Sequence, residues 1–264
     1  MDSLEKPTLE ILQPNWKGKA PANVEALMTL RKGGVSAGPF GDDEGVGGLN
    51  VGKYTGDFAY CVRTNRQLAA QLAPEDPVWL RQVHGTTVAD AESAKDEDEA
   101  DAIVSMTPGK VCLVQTADCL PILIAESSGR LVAAVHASWK CLALGILEAS
   151  FRHINSRLGK GRHRFVAWIG PHIDAKSFEV GGDVIDFYAD HGIDTAPYRT
   201  EAGQGKYFLD LGAVARAKLE ALGVASDGIF ASSKSTYTDP HSFYSFRRDG
   251  RTGRHATMIW IKNE

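Results

Sequence analysis

Three side chains that can bind a metal ion stand at or near the ends of apolar, strand-like runs. They are His84 in RQVHG, Cys119 in TADCLP and His136 in AAVHASW. Two imidazoles and a thiolate suit Zn²⁺, and three protein ligands leave one coordination position open for water or substrate. The spacings, 84 to 119 and 119 to 136, are too wide for a finger-type chelate, so only the fold can bring the three together. These residue types therefore point to a catalytic metal site.

The same residues also permit other interpretations. Cys119 could be a nucleophile activated by His136 or His84 without a metal. Each residue could equally be an ordinary core or edge residue. Asp118 is a candidate to orient a ligating histidine or to act as general acid or base, although an acid at a strand end is also a common turn or cap residue. Residue types alone leave these alternatives open.

The segment after His136 has the features of a phosphate site. Ser138 and Lys140 open a predicted helix, and the free N–H groups of a helix N-terminus attract anions. A lysine in the first turn opposes the helix dipole unless a negative ligand lies between them. The alternative is that Lys140 points into water.

Four further residues are weaker candidates for phosphate contacts. Arg31 and Ser36 lie in the glycine-rich stretch RKGGVSAGPFG, whose amides could surround an anion. Arg247 and Arg248 lie in the turn RRDG. Glycine-rich loops are usually only flexible turns, and arginines at a turn usually only cover its surface.

Strands predominate among the elements that would position these residues. The runs VEALMTL, PVWLRQVHGTTVAD, DAIVS, KVCLVQT, LPILIAE, RLVAAVH and RFVAWIG predict strands, and SFYSF with RHATMIWIK predicts a C-terminal hairpin. Helical periodicity predicts helices over 65–72 with Asn65 as N-cap, 139–158 with Gly159 as C-cap, 181–192 and 209–224. Residues 31–52 and the acidic stretch 92–101 are predicted to be loops. Because strands and helices do not alternate regularly, the pattern favours α+β with mixed sheets.

Composition narrows the class of protein. The chain has 264 residues and a formal charge of −4, with cations spread along the sequence, which argues against nucleic acid as a partner. No apolar run is long enough to span a bilayer, and the first residues do not resemble a signal peptide. Four cysteines without a CxxC pair predict reduced thiols. We therefore expect a cytoplasmic protein acting on a small molecule; the sequence makes no prediction of oligomeric state.

Ten short motifs in order resemble the YfiH-type family, also known as peptidoglycan editing factors and as laccase-domain polyphenol oxidases. The motifs run from about residue 24 to 262 and read LRKGGVS, LNVG, RQVHGTTV, ADAIV, TADCLPIL, AAVHASW, IGPHI, FEVG, LDL and SFRRDGRTGR. The resemblance implies one α+β domain over 1–264 with layered α/β/β/α architecture and mixed sheets, related to cysteine-hydrolase-like toxin domains. Residues 1–22 are expected to form an irregular N-terminal arm.

The resemblance also implies a Zn²⁺ site on His84, Cys119 and His136. The main implied activity is phosphorolysis of adenosine, inosine, guanosine and methylthioadenosine, which is a transferase reaction. A second implied activity is deamination of adenosine, which is a hydrolase reaction. The alternatives are a copper-dependent, laccase-like polyphenol oxidase and an editing factor or cysteine hydrolase for cell-wall precursors.

One motif departs from the family pattern. Relatives usually read HAGWRG where this chain reads HASWKC, so Ser138, Lys140 and Cys141 replace glycine, arginine and glycine. Lysine keeps the positive charge but loses the two-pronged guanidinium that fits phosphate.

Overall fold

The computed structural model describes residues 9–263, so the first eight residues of the predicted arm lie outside it. The helices are α1 (Ala59–Ala70), α2 (Trp139–Leu144), α3 (Ile146–Leu158), α4 (Gly182–Asp190), α5 (Leu211–Ala221) and α6 (Phe246–Asp249). The strands are β1 (Ile11–Leu12), β2 (Val24–Thr29), β3 (Lys32–Ser36), β4 (Val88–Asp90), β5 (Ala102–Ser105), β6 (Cys112–Thr116), β7 (Leu120–Glu126), β8 (Val132–Ala137), β9 (Phe165–Ile169), β10 (Glu179–Gly181), β11 (Arg199–Gly203), β12 (Lys206–Leu209), β13 (Ile229–Ala231) and β14 (His255–Ile261).

Two sheets stack face to face and are covered by helices on both outer sides. The larger sheet has the order β13-β9-β7-β8-β5-β4 and contains both parallel and antiparallel pairs. The smaller has the order β1-β2-β14-β6, and a third sheet, β10-β12-β11, is not hydrogen-bonded to either, although Val180 and Leu209 pack in the same hydrophobic cluster as the larger sheet. One hydrophobic cluster joins the larger sheet to α2–α5, a second fills the space between the sheets, and a third includes Ala69 of α1 and the outer face of the smaller sheet. The predicted α+β fold with α/β/β/α layers and mixed sheets is confirmed.

The alternation of side chains along β7 and β8 places His136 between the two sheets. Residues 122 and 124 of β7 face the helices, whereas residues 123 and 125 face the smaller sheet. In β8, Val132 and Ala134 face the smaller sheet, and a side-chain period of two puts His136 on the same face. His136 pairs with Pro121 near the end of this hairpin. The alternation along β8 thus places the His136 imidazole between the two sheets, at the end of the β7–β8 pair.

Several predicted elements have different bounds in the structure. The described part of the N-terminal arm contributes β1, which pairs with β2. The predicted 31–52 loop contains β3 and a short 3₁₀ helix over Gly38–Phe40. The helix predicted over 65–72 begins at Ala59, so Asn65 is a buried interior residue and not an N-cap. Its side chain makes contacts outside the helix that a local pattern does not reveal.

Three other predictions fail for identifiable reasons. The predicted helix over 139–158 is two helices, because Gly145 adopts a left-handed conformation with φ of 90° and separates α2 from α3. Of the strand predicted over 77–90, only Val88–Asp90 forms a strand; Arg81 makes an isolated bridge to Glu99, and His84 turns the chain between the two with φ of 57°. The C-terminal hairpin does not form: β14 pairs with β2 and β6, and α6 occupies the predicted turn.

Among residues 9–263, the structure contains no helix both long and apolar enough to cross a membrane.

Candidate metal centre and cavity

His136 is held in place by a buried carboxylate. Its side chain is 3% exposed, and its Nδ1 lies 2.8 Å from Oδ1 of Asp101, which is fully buried. With Nδ1 donating to Asp101, Nε2 is the nitrogen left to bind a metal ion, in exchange for the proton that it carries in the metal-free protein. A carboxylate behind a ligating imidazole is the usual support of a histidine in a metal site.

The same carboxylate also fixes the position of His84. The Asp101 carboxylate oxygens accept hydrogen bonds from the backbone N–H groups of Val83, His84 and Gly85, at 3.3, 3.1 and 2.7 Å. These bonds stabilise the left-handed turn at His84, which is uncommon for a residue with a side chain. The two imidazole rings meet edge to face, with centroids 4.8 Å apart. Asp101 therefore sets the relative placement of both histidines.

The donor atoms form a cluster of metal-binding size. A ligand atom from each of His84, His136 and Cys141 lies within 4.8 Å of the other two. In a tetrahedral zinc site, bonds of 2.0–2.3 Å place donors about 3.3–3.8 Å apart, so a movement of about 1 Å closes the cluster on an ion. Cys119 lines the same cavity as both histidines, and its charge raises the pKa of His136. The structure thus brings the three predicted ligands to one cavity, but the compact donor group consists of His84, His136 and Cys141 and does not include Cys119.

Electrostatics distinguish the two histidines. Burial, reinforced by the charge of the neighbouring His136, lowers the pKa of His84 to about 4, so His84 is neutral at physiological pH. Burial also lowers the pKa of His136, but Cys119 and the hydrogen bond to Asp101 outweigh it and raise the pKa well above its ordinary value. Burial raises the pKa of Asp101, yet the bond from His136 and the backbone N–H groups leave it below its usual range. The metal-free site thus pairs a neutral imidazole with one whose protonated form is stabilised.

The cluster opens into a cavity of about 330 Å³, within the size range of small-molecule sites. Three cationic side chains line it, Lys53, Arg66 and Arg254, together with two aromatic residues, Tyr54 and Phe246. The remaining lining residues are Gly52, Thr55, Leu80, Gln82, His84, Gln115, Thr116, Ala117, Cys119 and His136. Metal donors, positive charge and aromatic surface therefore share one cavity.

Asp118 occupies a strained position next to Cys119. Its backbone has φ of 86°, and its side chain is 8% exposed. Oδ1 accepts a 2.6 Å hydrogen bond from the Thr236 hydroxyl, and Oδ2 accepts one of 2.6 Å from the backbone N–H of Arg247. Both oxygens thus fasten neighbouring segments against the turn that carries Cys119. Its predicted role as general acid or base stays a prediction, and the geometry favours positioning.

Two of the predicted phosphate contacts stabilise the glycine-rich segment. Arg31 donates from Nε to the carbonyl of Gly41 at 2.8 Å and from a terminal nitrogen to the carbonyl of Pro240 at 3.0 Å. Ser36 is fully buried and donates to the carboxylate of Asp57 at 2.6 Å. Neither residue is among the described residues that line the cavity.

The other four predicted phosphate contacts are also absent from the lining of the cavity: Ser138, Lys140, Arg247 and Arg248. Ser138 caps α2 by accepting the backbone N–H of Cys141. Lys140 is exposed on α2, yet its charge contributes to the low pKa of His84, so it lies near the site. Arg247 and Arg248 donate to backbone carbonyl groups, and the guanidinium of Arg247 also lies over the ring of Phe178. All six assignments as phosphate contacts stay predictions.

Sequence reasoning missed three residues of this site. Asp101 ends a stretch that the sequence predicts to be an acidic loop, because nothing in its local sequence shows that it faces His136. For Cys141, the sequence shows only a departure from a family motif. Arg254 closes the motif SFRRDGRTGR, whose resemblance to the family pattern is the signal that the sequence offers for it.

The layered α+β fold and its cavity of histidine, cysteine and cationic side chains are those of a protein that binds a small molecule beside a metal site. The chain belongs to the YfiH-type family: the family model described as "multi-copper polyphenol oxidoreductase laccase" matches residues 25–262.

Its relatives carry a consistent name. A purine nucleoside phosphorylase of Pseudomonas aeruginosa is 39% identical over 253 residues, covering 96% of this chain and 98% of that protein. The purine nucleoside phosphorylase YfiH of Escherichia coli is 38% identical over 255 residues, covering 96% and 99%. A crystal structure of a Neisseria meningitidis protein matches with a TM-score of 0.84 and 37% identity, covering 96% of this chain and 99% of that one.

Proposed function

We propose that the protein is a zinc-dependent purine nucleoside phosphorylase that cleaves adenosine, inosine, guanosine and methylthioadenosine and also deaminates adenosine. The observation that supports this most is the cavity in which His84, Cys119 and His136 lie together with three cationic and two aromatic side chains. The names of the relatives agree with the phosphorylase activity. The dependence on zinc, the deamination of adenosine and the list of nucleosides are parts of the proposal that those names do not include.

The donor set fits a zinc ion. His84, Cys119 and His136 would hold the ion, with Asp101 orienting His136 from behind. The ion would supply a fixed positive charge and Lewis acidity at the cavity wall. Because His84 is neutral at physiological pH, its lone pair is available for binding.

Arg254 is the best placed residue to hold phosphate. Its guanidinium lines the cavity and lies close enough to Cys119 and Asp118 for electrostatic interaction with both side chains. Lys53 and Arg66 line the same cavity, but both pair with the carboxylate of Glu97, at 3.2 and 3.8 Å. Arg254 has no carboxylate partner among the described ion pairs, so its charge remains available to an anion.

The aromatic residues fit a purine base. Phe246 is 57% exposed and Tyr54 is 69% exposed, and both line the cavity. Flat aromatic faces stack on bases with little dependence on which base is present. This arrangement supports a substrate range that includes adenine-type and oxopurine nucleosides.

The two reactions differ in the attacking group. In phosphorolysis, a phosphate oxygen forms a bond to the anomeric carbon of ribose while the bond to the purine nitrogen breaks, and the base takes up a proton. In deamination, water replaces the amino group on the purine ring and ammonia leaves. A cavity that positions phosphate beside the ribose favours the first reaction.

Product analysis tests the proposal. Purified protein is incubated with adenosine, with and without phosphate, and adenine is separated from inosine. We expect adenine only with phosphate and some inosine in either case. Absence of both products would contradict the proposal and favour the alternative of an editing factor that recognises cell-wall precursors.

The role of Arg254 gives a sharper test. Replacing it in Arg254→Gln removes a charge-assisted hydrogen bond, so we expect the KM for phosphate to rise about 10-fold or more. The KM for nucleoside should change much less. Arg251→Gln is the matched control, since Arg251 lies on the same segment, donates to the carbonyl of Gly56 and does not line the cavity. An unchanged KM for phosphate in Arg254→Gln would remove Arg254 from the phosphate site.

A further inference from the structure

Cys141 is placed like a metal ligand. Its side chain is fully buried in the first turn of α2. Its Sγ belongs to the cluster in which donor atoms of His84 and His136 lie within 4.8 Å of it and of each other. It also acts on His136, whose pKa it helps to raise. Cys141 stands where the family pattern has glycine, so this sulfur donor is a feature of this chain and not of the family pattern.

The surroundings of Cys141 fix its sulfur toward the histidines. Its backbone N–H donates to the Ser138 hydroxyl at 3.1 Å, and the same hydroxyl donates to Sγ at 3.0 Å. Sγ also lies 4.0 Å from Oδ1 of Asp101, the oxygen that orients His136. Ser138, which likewise replaces a glycine of the family pattern, therefore stabilises and orients the thiol.

A cation fits this grouping of donors. The Cys141 thiol donates to Oδ1 of Asp101 across 4.0 Å, and loss of the thiol proton to an incoming metal ion would leave a thiolate and a carboxylate buried side by side. A divalent ion among His84, His136 and the sulfur would compensate that charge. The hydroxyl of Ser138 would then support the ligating thiolate as Asp101 supports His136.

We infer that Cys141 is a metal ligand in this protein and adds a second thiolate to His84, Cys119 and His136. The inference rests on the proposed zinc site. Four protein donors, two nitrogen and two sulfur, complete a tetrahedral shell around zinc. Such a shell favours soft and borderline ions, and it leaves a position for a reactant only when one donor moves away.

Cobalt substitution tests the inference without measuring activity. Co²⁺ bound to thiolates gives a near-ultraviolet charge-transfer band whose intensity follows the number of sulfur ligands. Metal-depleted full-length protein is titrated with one equivalent of Co²⁺ in the wild type and in Cys141→Ser, Cys141→Ala and Cys141→Gly. We expect each variant to lose roughly half of the band, since one of two thiolates is removed.

Two further variants separate the possible results. Cys61→Ser is the matched control, because Cys61 lies on α1 and does not line the cavity, and its band should equal that of the wild type. Cys119→Ser should also lose roughly half of the band. Three variants at position 141 guard against misfolding of one, and circular dichroism verifies the fold of each.

The outcomes are distinct for the two proposals. A full band in folded Cys141 variants would overturn the role of Cys141 and leave the proposed zinc site on His84, Cys119 and His136 intact. A full band in Cys119→Ser would instead remove Cys119 from the proposed site. No band in the wild type would overturn the cluster as a metal site and the inference with it.

Discussion

At the scale of single residues, Asp101 organises the candidate site. It is fully buried, its side chain receives Nδ1–H of His136, and its oxygens accept three backbone N–H groups from the turn that carries His84. One carboxylate therefore positions two predicted ligands that come from different parts of the chain. Loss of its negative charge should therefore weaken metal binding.

The variant Asp101→Asn tests this role. The amide keeps the size of the side chain but removes the charge that polarises His136, and loss of such a partner typically weakens metal binding by about 10- to 100-fold. We expect that loss in zinc affinity, measured by competition with a chromophoric chelator. Asp98→Asn, an exposed position in the same acidic stretch, is the control and should bind zinc like the wild type. Equal affinities in the two variants would contradict the role of Asp101.

The difference between Asp101 and the ligands shows what sequence patterns reveal at this scale. His84, Cys119 and His136 are chemically conspicuous beside apolar runs, so they could be named before their arrangement was known. Asp101 ends a run of acidic residues that are mostly exposed, and its partner His136 lies 35 residues further along. Its burial depends on pairing between β5 and β8, which no local pattern contains.

At the scale of elements, Asn65 fastens the glycine-rich segment to α1. Its amide donates to the Ser36 hydroxyl and to the carbonyl groups of Gly48 and Asn50, and its oxygen accepts the backbone N–H of Val35. Within the segment, the backbones of Gly48 and Phe40 pack so closely that a Cβ on Gly48 would lie 2.0 Å from the carbonyl oxygen of Phe40. The segment is therefore a packed structure and not a flexible loop.

Replacing this residue should destabilise the protein. Asn65→Ala leaves several buried polar groups without partners, and we expect a loss of about 2–4 kcal/mol in the free energy of unfolding. Urea denaturation measures it. Asn155→Ala, an exposed position on α3, is the control and should change stability by less than about 1 kcal/mol. A loss in Asn65→Ala no larger than in the control would show that these bonds do not hold the segment.

The elements themselves were predicted unevenly, for a physical reason. Strands β2, β5 to β9 follow continuous apolar runs, because they are buried in the two stacked sheets, and their positions were correct to within a few residues. Asn65 looked like an N-cap because asparagine is common there. Its burial follows from contacts with residues 15 to 30 positions away.

At the scale of the whole molecule, His255 links stability to pH. It is fully buried at the start of β14, where its Nε2 accepts the backbone N–H of Tyr244 at 2.8 Å. Burial lowers its pKa from 6.5 to about 3. Because the unfolded chain takes up the proton first, the stability from neutral His255 is complete above pH 6.5 and is lost as the pH falls toward 3.

The expected size of this effect can be measured. Between pH 7 and pH 5, metal-free wild type should lose about 2 kcal/mol more stability than His255→Gln, whose amide oxygen accepts a hydrogen bond without titrating. Urea denaturation at both pH values gives the difference. Equal losses in the two proteins would mean that His255 does not titrate as its burial indicates.

The account as a whole depends on a zinc ion at the end of the two stacked sheets. The most direct test measures zinc per chain and phosphate-dependent adenine formation on one sample, before chelation, after chelation and after zinc is returned. We predict about one zinc per chain, loss of adenine formation with the metal, and recovery with zinc but not with copper. A full rate in zinc-free protein, or recovery with copper alone, would contradict the account.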